Sequence, residues 1–566
     1  MNKRWKIQKH DADAVNRLAA EIDVPPLVAA LLISRGHDTP ERARQFLNPS
    51  YEHLHEPLLL KDMQAAVDRI KKAVENKEKV FIWGDLDVDG TTGTALLRRT
   101  FALLGLETGY HITNRFTESR GINIGPLREA RAAGFTVVVS VDTGTSNFEE
   151  VAQANEIGLD VIICDHHEIK SDTILPPATA LINPFQPDCE YPDDNLAGVG
   201  VAFKLAHALL REYDLTSSIA GLMKIAAIGT VADVVDLTGE NRAIVALGLR
   251  DLRHTDNEGL RALMEVADCS ADMTSYDIGF RIGPRINAAG RIEVGTHVVE
   301  LLEAGDFAEA RRIARILDER NRERQKIQRE VTDDALLEAS KFDDPNFVVV
   351  AGEGWHKGVV GLAASRVAER FHRPAIVFSI EDDIATGSAR SIAGFDLFEA
   401  LTSAGDLLEQ FGGHVMAAGM KIKLANLGAL RERLDQYAGA KISDDERTPE
   451  LKIDALITTE TLSLGLVEQI KPFEPFGAGN PKPVFLTRGL RLRDEPLVMK
   501  DKHLKLKLVD DNGKSFEAVW WDGVERSKQQ TLVRDSRIQL AYVAEANSWQ
   551  GNTRLQLVVQ DLRADN

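Results

Sequence analysis

The chain has 566 residues, of which 44% are hydrophobic and 27% charged, and its formal net charge is −19 at pH 7. This length exceeds what one hydrophobic core holds, so we expect three or four domains of ordinary globular composition. Three cysteines without a CxxC pair exclude a disulfide framework and a structural zinc site, and the lack of a signal core or bilayer-length apolar run predicts a cytoplasmic protein without membrane contact.

The negative charge argues against nucleic acid as a partner, because phosphate binding favours basic surfaces. Net charge is a global sum, however, and a cleft can be positive on an acidic protein. Two local runs are basic, RRIARILDERNRERQKIQRE (311–330) and KDKHLKLK (500–507). The first also fits a solvated helix with intrahelical ion pairs, so charge alone leaves both interpretations open.

Along the chain, residues 1–50 have a helical pattern and no chemical motif. From about residue 60, short β-branched apolar runs alternate with helical stretches; the runs are KVFIWGD, TVVVSVD and DVIICDHH. Continuous apolar strands that alternate with helices predict a parallel sheet covered on both faces. Ligands of such sheets bind beyond the carboxyl ends of the strands.

Acids and histidines follow these apolar runs. The first run leads into GDLDVDG (84–90), the second ends at Asp142, the third leads into Asp165-His166-His167, and IAAIGTVADVVDL supplies Asp233 after a further apolar stretch. A single Asp after a strand is often a helix cap. Four such segments predict that the acids and a histidine converge on one sheet edge.

The three alternate acids of GDLDVDG repel one another and need a cationic partner. Aspartate and histidine without thiolates suit Mn²⁺ or Mg²⁺ better than structural zinc. Two cations that share a bridging carboxylate lie about 3.5–4 Å apart and stabilise the attacking and leaving oxygens of phosphoryl chemistry. The pattern therefore favours a two-metal centre.

The DHH tripeptide at 165–167, with DLDVDG upstream and VDTG between, resembles the DHH phosphoesterase superfamily. From about residue 20 to the carboxyl terminus the chain resembles, within it, the RecJ family of single-stranded-DNA exonucleases. The segments that carry this resemblance, in the same order, are NRFTESRGIN (114–123), LAGVGVAFKL (196–205), GTVADVV (229–235), GPRINAAGR (283–291), WHKGVVGLAASR (355–366), GSARSI (387–392) and FGGHVMAAG (411–419).

The resemblance implies a role for each matching residue. The implied metal-site positions are Asp85, Asp87, Asp89, Asp142, His166 and Asp233, with Asp142 as the bridge. His167 would support the site or polarise the substrate, and Arg285 would face the scissile phosphate. Asn114 and Arg115 match a loop that approaches the substrate, and Ser388, Arg390 and His414 match residues that hold a terminal phosphate.

The expected fold class is α/β, with a parallel-sheet DHH domain, a long connecting helix, an α/β DHHA1 domain and a carboxyl-terminal β-barrel of the OB type. The expected boundaries are 1–50 (helical segment), 51–300 (DHH), 301–342 (connecting helix), 343–440 (DHHA1) and 450–566 (OB). Two hairpin patterns, around DNG and QGN, support the barrel. Trp520, Trp521 and Trp549 are candidate base platforms, but strand alternation allows at most one of the adjacent pair to face outward.

The resemblance implies a 5′-to-3′ exonuclease that hydrolyses single-stranded DNA with two Mn²⁺ or Mg²⁺ ions, releases 5′-mononucleotides and acts in recombination and repair. It also implies partners such as a RecQ-type helicase and a single-strand-binding protein, and we expect a monomer. Two alternatives stay open. One is a DHH phosphodiesterase of short oligonucleotides or cyclic dinucleotides, and the other is a non-catalytic DNA-binding replisome scaffold.

Overall fold

The computed structural model describes residues 3–114, 117–119, 121–170, 173–270, 272–292, 295–443, 445–528, 530–549 and 551–565, without the side chains of residues 289, 291, 292 and 549. The chain forms two compact units. Unit I comprises Ala12–Asn321 and Glu468–Lys482, and unit II comprises Met1–Asp11, Arg322–Val467 and Pro483–Asn566. Among the helices of the described residues, none combines the length and the apolar character needed to cross a membrane.

The first fifty residues contain one strand and three helices: β1 (Arg4–Ile7), α1 (Ala12–Ile22), α2 (Pro26–Ile33) and α3 (Pro40–Leu47). Thr39 caps α3 by accepting a hydrogen bond from the Arg42 N–H, and Pro40 occupies the first helical position. The helical prediction for residues 1–50 is wrong at Arg4–Ile7. That strand pairs in parallel with residues 450–453, a partner too distant in the chain for local sequence to indicate.

Unit I is built on a parallel sheet. Its five strands lie in the order β3-β2-β4-β5-β6, and every pairing is parallel. The inner strands are buried on both faces, which is why they are continuous apolar runs, and the predicted parallel sheet is confirmed. In chain order the elements are α4 (Met63–Asn76), β2 (Lys79–Gly84), α5 (Val88–Leu103), β3 (Thr108–Ile112), α6 (Ile124–Ala132), β4 (Phe135–Val141), α7 (Phe148–Glu156), β5 (Asp160–Cys164) and β6 (Ala180–Ile182).

The rest of unit I is helical. The helices are α8 (Gly198–Glu212), α9 (Ile219–Asp233), α10 (Gly239–Leu252), α11 (Glu258–Val266), α12 (Ser275–Asp277), α13 (Gly283–Ile292) and α14 (Thr296–Glu303), with a π-helical turn at Ile278–Ile282. The apolar stretch before Asp233 is a helix and not a strand, because Asp233 ends helix α9. Every residue from 222 to 230 is buried, and a helix buried on all sides gives the same uninterrupted apolar run as a buried strand.

A 33-residue helix, α15 (Phe307–Ala339), contains the basic run at 311–330. Within unit I, Arg311 pairs with Glu265 at 2.7 Å and Arg312 pairs with Glu309 at 2.8 Å. Arg312 therefore forms an intrahelical ion pair, whereas Arg311 binds an acid of helix α11.

The second sheet, in unit II, has five strands in the order β10-β11-β9-β8-β7, and only β7 and β8 run parallel. Helix α16 connects these two parallel strands. The elements are β7 (Val348–Glu353), α16 (Val360–Phe371), β8 (Ala375–Glu381), β9 (Ile384–Arg390), α17 (Leu397–Thr402), β10 (Leu408–Gly413), β11 (Ala417–Lys423) and α18 (Leu427–Lys441).

The carboxyl-terminal part of unit II is a barrel. The elements are β12 (Glu450–Ile453), β13 (Ala455–Leu456), α19 (Leu464–Ile470), β14 (Phe485–Leu492), β15 (Leu497–Met499), β16 (His503–Val509), β17 (Ser515–Trp520), α20 (Gly523–Arg526), β18 (Arg537–Trp549) and β19 (Asn552–Ala564). Strands β14, β18, β19, β17 and β16 pair in that order, and a β14–β16 pairing closes the ring. Both predicted hairpins, β16–β17 and β18–β19, are confirmed, and five closed strands make an OB-type barrel.

Candidate metal centre

Three strands of the parallel sheet deliver polar side chains at their carboxyl ends. Asp85 and Asp87 follow β2, Asp142 follows β4, and His166 lies two residues beyond β5. The Asp142 backbone is in the left-handed region, with φ of 61°, and its N–H donates to the Cys164 carbonyl at 2.9 Å. The chain therefore turns away from the sheet at Asp142, the residue that carries the carboxylate.

The motif GDLDVDG forms the loop between β2 and α5. The Asp87 side chain caps α5, since its Oδ1 accepts hydrogen bonds from the N–H groups of Asp89 at 2.9 Å and Gly90 at 3.2 Å. A Cβ on Gly90 would lie 2.5 Å from the Asp85 carbonyl oxygen, so the motif has to end in glycine. The cap interpretation thus holds for Asp87, and the same turn gathers the other acids.

Asp89 is buried and fixed by the start of helix α8. Its two carboxylate oxygens accept hydrogen bonds from the N–H groups of Gly198 at 2.6 Å and Val199 at 2.7 Å. A Cβ on Gly198 would lie 2.7 Å from the Cβ of Asp142, so this glycine lets Asp89 and Asp142 lie side by side. Sequence reasoning noted this segment only as a family motif and did not identify Gly198 or Val199 as part of the site.

His166 stands at the centre of the cluster. Its Nε2 lies 3.1 Å from Asp142 Oδ1, 3.7 Å from Asp89 Oδ2 and 3.8 Å from Asp233 Oδ2. Three groups of ligand atoms each lie within 4.8 Å of one another: Asp85, Asp87 and Asp142; Asp89, His166 and Asp233; and Asp142, His166 and His167. Asp142 belongs to two of these groups, which is the arrangement expected of a carboxylate shared between two cations.

The cluster is electrostatically unfavourable without a cation. Burial, followed by the charges of Asp233 and Asp87, raises the pKa of Asp89 well above its ordinary value. Burial and the neighbouring Asp89 and Asp87 likewise raise the pKa of Asp142, and burial raises that of Asp233. Carboxylate and imidazole donors around a site that lacks positive charge fit Mn²⁺ or Mg²⁺.

Asp165, the first residue of DHH, is a functional residue that sequence reasoning missed. Its Oδ1 accepts a hydrogen bond from His167 Nδ1 at 2.7 Å, and its Oδ2 accepts one from the Thr145 N–H at 2.9 Å. Burial alone would raise the pKa of Asp165, but these hydrogen bonds outweigh it and lower that pKa below its usual range. The hydrogen bond that His167 donates to Asp165 in turn raises the pKa of His167 to about 9. The sequence signal that could have identified Asp165 was its place in the DHH motif, directly before the predicted ligand His166.

The remaining residues predicted for unit I are placed as follows. Asn114 follows β3, and its N–H donates to Glu118 Oε2 at 3.0 Å. Arg115 lies outside the described residues. Arg285 lies on α13, where its Nε donates to Asp318 Oδ1 at 3.0 Å and its Nη1 donates to the Arg281 carbonyl at 2.7 Å. The guanidinium is therefore held in a fixed orientation by protein groups.

The residues predicted to hold a terminal phosphate lie in unit II. Ser388 and Arg390 are two apart on β9, and Arg390 Nη1 donates to Ser388 Oγ at 3.0 Å. The first turn of α16 lies against both, because a Cβ on Gly361 would be 3.0 Å from Ser388 Oγ and 3.1 Å from Arg390 Nη2. His414 is exposed in the turn between β10 and β11, where its N–H donates to the Ala417 carbonyl at 2.8 Å. Ser388 and Arg390 are thus brought together beside a helix N-terminus, a setting that favours anions.

Three protein-family models match the chain: the DHH family, N-terminal domain, over residues 79–230, the DHHA1 domain over 344–440 and the RecJ OB domain over 453–561. The chain is 40% identical to the single-stranded-DNA-specific exonuclease RecJ of Bacillus subtilis, over 99% of this chain and 70% of that protein. It is similar to the crystal structure of Thermus thermophilus RecJ in complex with Mn²⁺, with a TM-score of 0.85 and 29% identity over 100% of this chain and 80% of that one. The Mg²⁺ complex of the same protein matches with a TM-score of 0.80 and 28% identity, over 100% of this chain and 79% of that one.

Proposed function

The chain belongs to the RecJ family of single-stranded-DNA-specific exonucleases, and on that premise we propose which of its residues carry the reaction. It is a metal-dependent exonuclease that hydrolyses single-stranded DNA, and that family membership is consistent with a role in recombination and repair. The observation that supports the residue assignment best is the cluster around His166, in which Asp142 belongs to two ligand groups.

We assign one Mn²⁺ or Mg²⁺ position to Asp85, Asp87 and Asp142, and the other to Asp89, His166 and Asp233. Asp142 is assigned as the shared ligand because its Oδ1 lies 3.1 Å from His166 Nε2 of the second position. When bound, two such cations supply Lewis acidity to the attacking water and to the phosphate oxygens. The donor set fits Mn²⁺ or Mg²⁺, because it consists of carboxylates and one imidazole. The carboxylates repel one another, and a bound cation relieves that repulsion.

Residues around the cluster orient these ligands. The two α8 N–H groups hold both oxygens of Asp89, which fixes the carboxylate plane. His167 donates its Nδ1 proton to Asp165, and this hydrogen bond raises the pKa of the ring to about 9. The ring of His167 is assigned to contact a phosphate oxygen of the substrate. Asp165 acts through His167 and is a positioning residue.

Arg285, Asn114 and Arg115 are proposed as substrate contacts. The Arg285 guanidinium is oriented by Asp318, and an arginine held in this way loses less entropy when it binds phosphate. In unit II, Ser388, Arg390 and His414 are proposed to bind the terminal 5′-phosphate, a contact that would give 5′-to-3′ polarity and release of 5′-mononucleotides.

The finer partner and location expectations stay proposals. We propose that a RecQ-type helicase supplies single strands and that a single-strand-binding protein presents them, because the enzyme acts on single-stranded DNA. We also propose that it acts as a monomer in the cytoplasm, where its three cysteines would stay reduced.

The test is degradation of 5′-labelled and 3′-labelled single-stranded DNA with Mn²⁺, Mg²⁺ or chelator. Wild type should release the 5′ label rapidly as mononucleotide, and chelator should abolish that release. Asp142→Asn should be inactive, while Asp188→Asn, an exposed aspartate with the same φ of 61°, should behave as wild type. Release of the 3′ label first would overturn the polarity, and loss of activity on longer strands would favour a phosphodiesterase of short oligonucleotides.

A further inference from the structure

Helix α10 opens with three consecutive buried polar residues, Glu240, Asn241 and Arg242. All three lie within unit I, and their side chains bind other segments of unit I. We propose that Asn241 is a positioning residue that holds one of the two cation positions, the one formed by Asp89, His166 and Asp233. This inference rests on the proposed two-cation centre.

One side-chain amide joins two loops. Asn241 Nδ2 donates to the Asn195 carbonyl at 2.5 Å and to the Asp236 carbonyl at 3.1 Å. Asn195 lies three residues before Gly198, where helix α8 begins, and Asp236 lies three residues after Asp233. The Oδ1 atom accepts no hydrogen bond from the described residues, so the amide acts through its two N–H donors.

Both loops lead directly into the same cation position. The loop that contains Asn195 sets the start of α8, whose first two N–H groups hold the carboxylate of Asp89. The loop that contains Asp236 leaves α9 directly after Asp233. A shift of either loop would therefore move a ligand oxygen of this position.

The second loop needs support because its backbone is strained. Val234, which follows Asp233, has φ of 68°, a conformation that β-branched residues rarely adopt. Strain of this kind persists only where neighbouring structure imposes it. Two hydrogen bonds hold the loop after Val234 in place. One runs from Asn241 to the Asp236 carbonyl, and the other runs from the Leu237 N–H to the Ala478 carbonyl at 2.9 Å.

Glu240, the residue before Asn241, also stabilises the loop that contains Asn195. The Glu240 N–H donates to Asp193 Oδ2 at 2.8 Å, and Tyr191 donates its hydroxyl proton to the Glu240 carboxylate. The same carboxylate binds Lys204 Nζ of helix α8 at 2.7 Å. Glu240 and Asn241 together therefore fix the approach to α8 at three residues, Tyr191, Asp193 and Asn195.

The other cation position has a different support. Asp85 and Asp142 are tied to the sheet, since the Asp85 N–H donates to the Val141 carbonyl at 3.3 Å and the Asp142 N–H donates to the Cys164 carbonyl at 2.9 Å. Loss of the Asn241 amide should therefore weaken one cation position and leave the other unchanged. That asymmetry separates positioning from general destabilisation.

The test is Mn²⁺ titration followed by the electron paramagnetic resonance of free and spin-coupled Mn²⁺, on the full chain. We expect wild type to bind two ions and Asn241→Leu to keep one affinity while the other falls about 10- to 100-fold, the usual cost of losing a group that orients metal ligands. Excess Mn²⁺ should restore the spin-coupled signal and the turnover rate. Asn241→Ser keeps one donor and should show a smaller loss, which preserves the test if the leucine variant fails to fold.

The matched control is Asn257→Leu. Asn257 Nδ2 also donates to a backbone carbonyl of unit I, that of Leu302 at 2.9 Å, on a helix start that carries no ligand. This variant should lose thermal stability and keep both Mn²⁺ affinities. Equal weakening of both affinities in Asn241→Leu, or none, would overturn the proposal. A wild type that binds fewer than two ions would instead overturn the two-cation centre, and that result is visible before any variant is compared.

Discussion

The acidic cluster of unit I and the Ser388–Arg390 pair of unit II differ in the charges around them. In unit I, Asp89 and Asp142 are buried beside other acids, and the pKa of each is raised by burial and by its neighbours. In unit II, Arg390 lies beside Ser388 and the first turn of α16, a cationic group that like charges do not oppose. The first group destabilises the fold until cations bind, whereas in the second group only burial of the Arg390 guanidinium opposes its charge. Because the acids of the first group oppose folding, their clustering is explained by the cations that bind there.

The two groups should therefore respond differently to substitution. Removing an acid from the first group relieves repulsion and destroys a ligand at once. Removing the arginine from the second group takes away the proposed contact to the substrate and two hydrogen bonds within unit II. Stability and function should therefore change in opposite directions in unit I and independently in unit II.

The largest effect is expected for Asp142→Asn. The substitution should lower kcat on single-stranded DNA by at least about 10³-fold, because roughly 4 kcal/mol or more of transition-state stabilisation passes through the cations that Asp142 is assigned to bridge. The rise in melting temperature on adding Mn²⁺ should also shrink. Single-turnover degradation and calorimetry measure the two effects. If activity fell while the Mn²⁺-induced shift stayed complete, Asp142 would not be a shared ligand.

A smaller effect is expected for Arg390→Gln in unit II. A hydrogen bond to a charged group contributes about 1.5–3 kcal/mol, so the preference for a 5′-phosphate over a 5′-hydroxyl should fall about 10- to 100-fold. The measurement is kcat/KM on the two substrates, with unchanged thermal stability. Arg366→Gln, an exposed arginine of the same α16 region that pairs with Glu369, is the control and should leave the preference intact. An equal loss on both substrates would contradict the terminal-phosphate assignment.

In the barrel of unit II, the adjacent tryptophans allow the same separation of stability from binding. Trp520 is 1% exposed, whereas Trp521 is 51% exposed and lies edge-on to His503 at 4.8 Å. Trp521→Ala should weaken single-stranded DNA binding by about 1–3 kcal/mol and leave stability unchanged. Trp520→Ala should cost about 3–5 kcal/mol of unfolding free energy. Fluorescence anisotropy and denaturant unfolding would check the pair, and a Trp521 variant that binds like wild type would remove this residue as a base platform.

Much of this organisation was predictable from local pattern. Continuous apolar runs predicted β2, β4 and β5, and the acids at their ends predicted a cluster beyond the sheet, because parallel strands bring their carboxyl ends to one edge. Strand alternation predicted that Trp520 and Trp521 could not both face outward. The strand β1 was not predictable, since its partner lies at Glu450–Ile453.

The supporting residues of the site were harder to predict than its ligands. Asp233 was found as a ligand candidate, but the stretch before it could not be identified as a helix, because α9 is buried on all sides and shows no helical period. Gly198 and Val199 lie in a segment that was noted as a family motif, but they act through backbone N–H groups that residue types do not indicate. Asn241 donates to carbonyls of other segments, which local sequence does not indicate either. Residue types indicate which side chains can bind a metal ion, whereas the positions of those side chains depend on contacts between distant segments of the chain.

The last expected effect is the pH dependence of stability in the metal-free protein. The carboxyls of Asp89 and Asp142 have pKa values raised well above 3.8, so the folded state binds more protons than the unfolded state between 3.8 and those values. In chelator, the unfolding free energy of unit I should therefore fall as pH rises from 4 toward 7, by at most about 1.4 kcal/mol per pH unit for each such proton. Calorimetry of the transition that Mn²⁺ shifts would measure the slope. Asp142→Asn should flatten the slope, and Mn²⁺ should remove it because bound cations keep the carboxylates ionised. A slope that is the same in the variant would mean that the Asp142 carboxyl does not titrate in this pH range and that other groups cause the slope.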